Sequence, residues 1–354
     1  MVLIVFMLIS VLWSNIPNTS FNRWVRELQA VLMAFVVLSE PSPRQSMESI
    51  LRRTTYILIP FSLLLIKFFP NYGRTYGRWS GRQMWIGVTQ QKNGLGRLCL
   101  IAVFFLIWSL VRRKQGNNAP VWKYQTHVEI LVLVIALLLI RGPGGDSYSA
   151  TALYALGVGL LVYWGFHFIK KFGINLGGGT LMTTVAMIIL FGIVAVFSSG
   201  SNVRFFASSV GRDATLTGRT QVWARLLPVA MQQPVVGRGF GGFWTPRTRE
   251  AFEISEGHSG YLDVLLGLGF VGILLVSIFL LSSCRKAQRV LFHDFDWGAL
   301  WICYIIMSVV HNITESSIDS LTSQLTAVLV FLAISSSKAA YAPRDSQEKY
   351  DHAT

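Results

Sequence analysis

His258 sits in "EISEGHSGYLDVLLGLGFVGILL", residues 253–275, where a long polar stretch meets a long apolar run. Histidine titrates near neutrality and is the side chain most often used as a general base. The other histidines are His127, His167, His293, His311 and His352, and none of these joins the largest polar segment to an apolar run. A lone histidine at a helix start is more often a surface or capping residue, so its neighbours decide its weight. Asp263 follows inside the run. An offset of five positions is about 140° around an ideal helix. Asp263 can therefore orient a base or bind the hydroxyls of an acceptor, and both readings stand at this point.

The second group is arginine. In "TLTGRTQVWARLLPVAMQQPVVGRGFGGFW", residues 215–244, Thr217 can cap a helix that begins near Gly218. Val222, Trp223, Leu226 and Ala230 form its apolar face and Pro228 bends it, so it reads as an amphipathic helix on a membrane surface. Arg219 falls in the first turn, where a cation opposes the helix dipole at a cost of a few tenths of a kcal/mol. The placement becomes sensible if an anion lies between Arg219 and the free backbone N–H groups. "GRGFGG" could bring backbone close to a ligand or merely turn the chain, and it lacks the strand context of a nucleotide fingerprint. Trp223 and Arg238 join the substrate-binding candidates.

Arg141 ends the apolar run "LLLIR", and Gly142, Pro143, Gly144 and Gly145 break the helix after it. Ser147, Ser149 and Thr151 then offer hydroxyls. Taken alone it reads as an interface arginine and a turn. In "YGRTYGRWSGRQMWIGVTQQKNGLGR", residues 72–97, Arg74, Arg78 and Arg82 interleave with Tyr72, Tyr76, Trp79 and Trp85, and Lys92 and Asn93 follow. Arginines grip phosphates and aromatic faces stack on sugars, but the same mixture makes a membrane-interface belt. Single-stranded nucleic acid also uses such a pattern; the outward placement of this loop argues against it. "HDFD", 293–296, reads as a solvated loop, without the fold that a metal-held nucleotide sugar needs. No HExxH, P-loop or paired zinc motif appears, and Cys99, Cys284 and Cys303 form no disulfide framework. We expect no metal site.

The elements that must hold these residues are membrane helices. Of 354 residues 52% are hydrophobic and 14% charged, against about 25% charged in ordinary soluble domains. The mean hydropathy is +0.50. Apolar runs recur along the chain without the alternation of a barrel, which leaves helices. The expected fold is all-α and polytopic, with about ten spans near 1–14, 24–39, 55–69, 95–111, 127–141, 150–169, 180–198, 259–283, 298–311 and 320–336. This divides the chain into helices over 1–198 with an outer loop at 70–94, a large polar loop at 199–258, helices over 259–336, and a tail at 337–354. The first residues lack a basic region and a cleavage site, and read as a span rather than a signal. Short basic loops mark the cytoplasmic face, because long loops cross regardless of charge. Both termini are then cytoplasmic and both large loops face out. With Lys92 the single exception, the basic residues assigned to the outer side are all arginines. Arginine suits phosphate with two parallel hydrogen bonds, although headgroup snorkelling gives a plainer account.

Taken in order, "QQKNGLG", "TLTGRTQVW", "PVVGRGFGGFW", "GHSGYLDVLLGLGFVGILL" and "HNITESS" resemble the O-antigen ligase and polysaccharide polymerase superfamily of bacterial inner-membrane glycosyltransferases. The nearest likeness is to its exopolysaccharide-polymerase branch, and it extends over most of the chain from about residue 70. The resemblance implies a glycan donor carried on undecaprenyl pyrophosphate and joined, by its reducing end, to an acceptor repeat unit or lipid core. It implies a periplasmic active site and neither nucleotide sugar nor metal. A flippase and a chain-length regulator are possible partners. The family's loop histidine maps to His258 and its loop arginine to Arg219. Arg141 is the nearest match to a further functional arginine, although "IRGPGGDSYSA" departs from the commoner Ser-Arg turn. Gln91-Lys92-Asn93 stands where His-Lys-Asn is frequent, which removes a histidine. A different class, a transporter or lipid flippase, would suit the helix-breaking glycines. Such folds usually show internal repeats and ionisable groups at midplane, whereas polar groups here gather at the outer face.

Overall fold

The computed structural model describes residues 1–77, 81–116, 120, 122–144, 148–173, 179–197 and 219–339. The expectations for Arg78, Trp79, Gly145, Ser147, Thr217 and Gly218, for the large loop up to 218, and for the tail from 340 lie outside these residues.

The chain is helical almost throughout. The helices are α1 (Val2–Ser10), α2 (Pro17–Ser39), α3 (Pro43–Phe68), α4 (Pro70–Gly73), α5 (Lys92–Lys114), α6 (Gln125–Arg141) and α7 (Ala150–Lys171). They continue with α8 (Thr180–Phe197), α9 (Arg219–Ala230), α10 (Pro246–Phe252), α11 (Gly260–His293), α12 (Phe295–Thr314) and α13 (Gln324–Ala339). Four of them, α2, α3, α4 and α10, start at proline, whose fixed φ and missing N–H suit the first helical turn. One departure from all-α is a small antiparallel hairpin within residues 70–94, β1 (Arg74–Tyr76) with β2 (Gln83–Trp85), pairing Arg74 with Trp85 and Tyr76 with Gln83.

Among the described residues six helices are long and apolar enough to cross a membrane: α3, α5, α7, α8, α11 and α12. The protein is a multi-pass membrane protein. The helix at 127–141 is Gln125–Arg141, at 17 residues near the lower limit for a span, and that at 24–39 begins at Pro17 and carries Arg23, Arg26 and Glu27. Two spans form the centre. In α5 and α12, 78% and 83% of the apolar window is buried by protein, against 28–44% in the other four. Phe104 of α5 packs edge-on against Tyr163 of α7 and Tyr304 of α12, and Gly159 of α7 lets Met307 approach where a Cβ would lie 2.4 Å from its sulfur. Peripheral helices keep apolar faces outward, as lipid requires.

Several expected loops are helical. Helix α3 takes in most of "SEPSPRQSMESILRR", and α11 runs on through "CRKAQR" to His293. "HDFD" is therefore a tight helix junction rather than a solvated loop. Asp294 caps α12 by accepting from the Trp297 N–H at 3.1 Å, and Asp296 pairs with Arg112 at 3.5 Å.

Helix α11 is broken at Gly269, with φ 64° and ψ −162°. The segment 234–238 repairs the break. Phe270 and Val271 N–H groups donate to the carbonyls of Pro234 and Val235, at 2.8 and 3.1 Å, and the Arg238 N–H donates to the Leu266 carbonyl at 3.0 Å. In a membrane each such group left unpaired would cost several kcal/mol. The glycines of "GRGFGG" make this contact possible: a Cβ on Gly237 would lie 2.6 Å from the Gly267 carbonyl carbon, and one on Gly239 would lie 2.6 Å from the Ser10 oxygen. The close approach expected there is thus to the protein's own helices.

Candidate active site

Four segments far apart in sequence meet at one end of the bundle: the start of α5, the start of α9, the loop into α11 and the loop leaving α12. Glu315, directly after α12, is their meeting point. It is 1% exposed. Its Oε1 accepts from Asn93 Nδ2 of α5 at 2.6 Å and from Arg219 Nη2 of α9. Its N–H donates to the His311 carbonyl and its own carbonyl accepts from the Gly260 N–H, at 3.1 and 3.0 Å. The backbone of Glu315 is thereby pinned between α11 and α12.

The motifs "GHSGYLD" and "HNITESS" interlock through small residues. A Cβ on Gly260 would lie 2.1 Å from Asn312 Oδ1, so only glycine fits. That oxygen accepts from the N–H groups of Ser317 and Ile318 at 3.0 and 2.9 Å, and Asn312 Nδ2 donates to the Ser308 carbonyl at 2.8 Å. Arg97 Nη1 closes the loop by donating to the Ser316 carbonyl at 2.5 Å. Farther along, Glu27 of α2 accepts from the N–H groups of Leu321 and Thr322, at 2.5 and 3.0 Å, and from Ser320 Oγ at 2.9 Å.

His258 stands in the loop before α11 with φ 49°, a left-handed conformation. For a residue with a Cβ this costs about 1–2 kcal/mol and persists only where surroundings enforce it. Asp263 does the enforcing. Its Oδ1 and Oδ2 accept from the Gly257 N–H at 3.0 and 3.1 Å, Oδ1 from Trp244 Nε1 at 2.9 Å, and Oδ2 from Ser316 Oγ at 2.5 Å. With so many donors met, its carboxylate holds the loop and has little capacity left for an acceptor's hydroxyls. Trp223 acts from the other side: it is fully buried, and its Nε1 donates to the Gly257 carbonyl at 3.0 Å. Gly257 is thus gripped at both its N–H and its carbonyl.

The expected apolar face of α9 is present, with Thr220, Trp223, Leu226 and Ala230 buried. Protein covers it: Trp223, Leu226 and Ala230 cluster with Val196 of α8 and with Leu262, Leu265 and Leu266 of α11. Trp223 therefore packs and positions, and presents no open face to a sugar.

The electrostatics favour a neutral imidazole. Burial first, and then the charge of Arg219, lower the His258 pKa from its ordinary value, while Glu315 pulls it upward. Glu256, whose Oε1 is 3.5 Å from His258 Nδ1, is pushed up to about 8 by burial and by the neighbouring Glu315 and Asp263, with Arg97 opposing. Burial thus disfavours charge on both members of the pair. His311 is fully buried within reach of the charges of Arg97 and Arg219, and neither ring nitrogen has a partner.

Ligand atoms of Glu256, His258 and Glu315 lie within 4.8 Å of one another, a spacing that a cation could bridge. The donor set does not fit a divalent ion. Arg219 already holds Glu315 Oε1 and the charge of Arg97 lies close by, so a cation would have to displace one guanidinium and face another.

Of the other expected site residues, Lys92 begins α5 next to Asn93 and Arg82 lies exposed beside β2. Arg238 turns away: its Nη2 donates to Gln232 Oε1 at 2.6 Å and its guanidinium lies 6.0 Å from the Phe243 ring centre. Arg141 is exposed at the end of α6, which packs on α3 and α5, and no described hydrogen bond or ion pair ties it to Glu315. Sequence reasoning missed Glu315, Glu256 and Arg97. Glu315 carried a signal, as an acidic residue inside the quoted "HNITESS" flanked by apolar runs.

Residues 146–277 match the family model described as O-antigen ligase. The chain is also 22% identical over 306 residues to the exopolysaccharide production protein ExoQ of Rhizobium meliloti (strain 1021), covering 82% of this chain and 66% of that protein. The chain thus spans just under two thirds of this relative's length. The first match carries the description O-antigen ligase, and the second is to a protein named for exopolysaccharide production.

Proposed function

We propose that this protein is a glycosyltransferase of the bacterial inner membrane that polymerises or ligates oligosaccharides carried on undecaprenyl pyrophosphate, with its active site facing the periplasm. One observation carries the reading: the arginine suited to phosphate and the histidine suited to proton removal converge on a single buried carboxylate, Glu315.

The chemistry follows from those groups. As the bond from the anomeric carbon to the phosphate oxygen breaks, negative charge grows on the departing diphosphate. Arg219 sits in a water-poor site at a helix start, where a fixed cation stabilises that charge strongly. The acceptor hydroxyl forms the new bond to the anomeric carbon and gives its proton to His258. Nδ1 of His258 is buried against Glu256, which leaves Nε2 to take the proton. Attack from the side opposite the leaving group inverts the anomeric centre. The saturated donor set around Asp263 assigns it to positioning His258. Asn93 and Lys92 at the start of α5 border the same cluster and suit the donor's phosphates.

The test is reconstitution of the full chain in vesicles with an undecaprenyl-pyrophosphate oligosaccharide and a chelator. Growth of a product ladder supports polymerisation, and transfer to a lipid core supports ligation. Translocation of the lipid without glycosyl transfer overturns the reading, and a requirement for added metal overturns the metal-independent mechanism.

A further inference from the structure

Glu315 is the charged residue that this mechanism does not use, although it lies at the centre of the cluster. Its position is paradoxical. A carboxylate 1% exposed needs a partner, and the partner it takes is Arg219, the guanidinium assigned to the donor's diphosphate. A diphosphate offers the same fork of oxygens with more charge. It competes with Glu315 for one arginine.

What Glu315 can do once displaced is set by its surroundings. Its backbone is fixed by the Gly260 N–H and the His311 carbonyl, so the side chain is the part free to turn. Asn93 approaches from α5 and can stay on the carboxylate. Arg97 from α5 is committed to the Ser316 carbonyl. Asp263 from α11 and Asp319 from the following loop are acids and offer it no positive charge. Glu256 is its neighbour within the same 4.8 Å group; held toward its neutral form, it can share a proton with the carboxylate but brings no positive charge. His311 from α12 is buried under the charges of Arg97 and Arg219. That leaves the imidazole of His258, in the same 4.8 Å group, as the remaining group that becomes a cation during the reaction.

We propose that Glu315 is a positioning residue that changes partners: it holds Arg219 before the donor binds and turns to His258 once the diphosphate has taken Arg219. The proposal rests on the glycosyl-transfer reading above. It makes donor binding the event that arms the base. The acceptor oxygen bonds to the anomeric carbon, and the electron pair of the broken bond leaves with undecaprenyl diphosphate. The hydroxyl proton moves to His258, whose imidazolium is then paired with Glu315. An acceptor arriving without a donor meets a histidine that lacks its counter-ion, which disfavours premature proton removal.

The experiment uses the full-length protein in vesicles and the Glu315→Gln variant, which keeps the side chain's volume and its bond to Asn93. Two quantities are read: binding of undecaprenyl diphosphate, which needs no chemistry, and kcat against pH. We expect the variant to bind undecaprenyl diphosphate about tenfold more tightly, within the usual range of coupling between sites. Its kcat at neutral pH should fall by about 10²-fold. The acid limb of its pH profile should move to lower pH, because the carboxylate that favours imidazolium is gone. Weaker diphosphate binding would overturn the proposal, since Glu315 would then merely hold Arg219 in place. Unchanged binding with an unchanged pH profile would overturn it equally. Should Glu315→Gln not reach the membrane, Glu315→Asp keeps the charge and shortens the reach; tighter diphosphate binding with lowered kcat supports the exchange, and wild-type values of both refute it. If the wild-type protein binds no undecaprenyl diphosphate, or His258→Ala keeps full turnover, the glycosyl-transfer reading itself fails and the proposal with it. If both controls behave and Glu315→Gln does not, the partner exchange alone is wrong.

Discussion

Two glutamates are buried at opposite ends of this bundle, and their company differs. Glu129 of α6 is fully buried and accepts from Tyr56 at 3.1 Å, Ser109 at 3.3 Å, Gln125 at 3.0 Å and Arg113 at 2.9 and 3.0 Å. Arg52 stands 3.8 Å away, and nearby Arg112 pairs with Glu48 at 3.0 Å. Glu315, nearly as buried, has Asn93 and Arg219, and close to it stand two histidines with ring nitrogens that have no partner. Around Glu129 four side chains of α3, α5 and α6 donate to one carboxylate, with the Nε groups of Arg52 and Arg113 left over, so that end is a clamp. Around Glu315 polar capacity is left over, and a positive-φ histidine is held in place to offer it. On the proposed function, buried charge serves cohesion at one end and reception of a ligand at the other.

Substitutions at the two ends should separate these roles. His258→Ala should lower turnover by about 10³-fold while the protein folds and inserts normally, measured by product formation against detergent-extracted yield. Full activity in that variant would erase the contrast. Glu129→Gln should do the reverse. Breaking a buried pair costs about 3–5 kcal/mol, so its melting temperature should fall steeply, with the turnover of the folded fraction unchanged. Asp263→Asn falls between them. It keeps one accepting oxygen but turns the other into an NH2 donor, so the Gly257 N–H, Trp244 and Ser316 can no longer all be met as they are, at about 1–3 kcal/mol. It should lower kcat about tenfold without raising the KM for donor, because Asp263 acts through the His258 loop. A KM effect in place of a kcat effect would put Asp263 in contact with substrate.

The smallest expected effect is in pH. Burial and Arg219 depress the His258 pKa. The neutral, proton-accepting form is therefore retained to pH values below the ordinary 6.5, and activity is lost only as pH falls through that lowered value. An acid limb above 6.5 in the rate profile would mean that Glu315 outweighs burial.

Much of the architecture was legible in the sequence because continuous apolarity leaves helices as the physical option, and α5, α7, α8, α11 and α12 lie close to their expected spans. Boundaries failed where charged residues extend a helix past the apolar run, as at "CRKAQR", because hydropathy marks the lipid and not the end of the backbone ladder. His258 and Arg219 were readable from residue type at a helix start. Glu315 was not assigned, because its importance comes from α5 and α9 converging on it across 222 and 96 positions. The role of "GRGFGG" was hidden for a related reason: its glycines answer to a kink at Gly269, thirty or so positions away, and local pattern gives no hint of what a glycine must avoid.

The grip of Glu27 on the 320–322 loop also has a consequence in time. Ribosomes deliver α2 to the membrane long before that loop exists, since the hydrogen-bonded partners are separated by 293–295 positions. Until then Glu27 waits without its final ligands, and the loop that carries Glu315 has no brace. The assembly proposed for catalysis therefore comes into being only after α2 and the 320–322 loop have both been inserted and have docked. Truncated or half-inserted copies would be silent rather than harmful, and co-expressed N- and C-terminal fragments that regain turnover would report that docking directly.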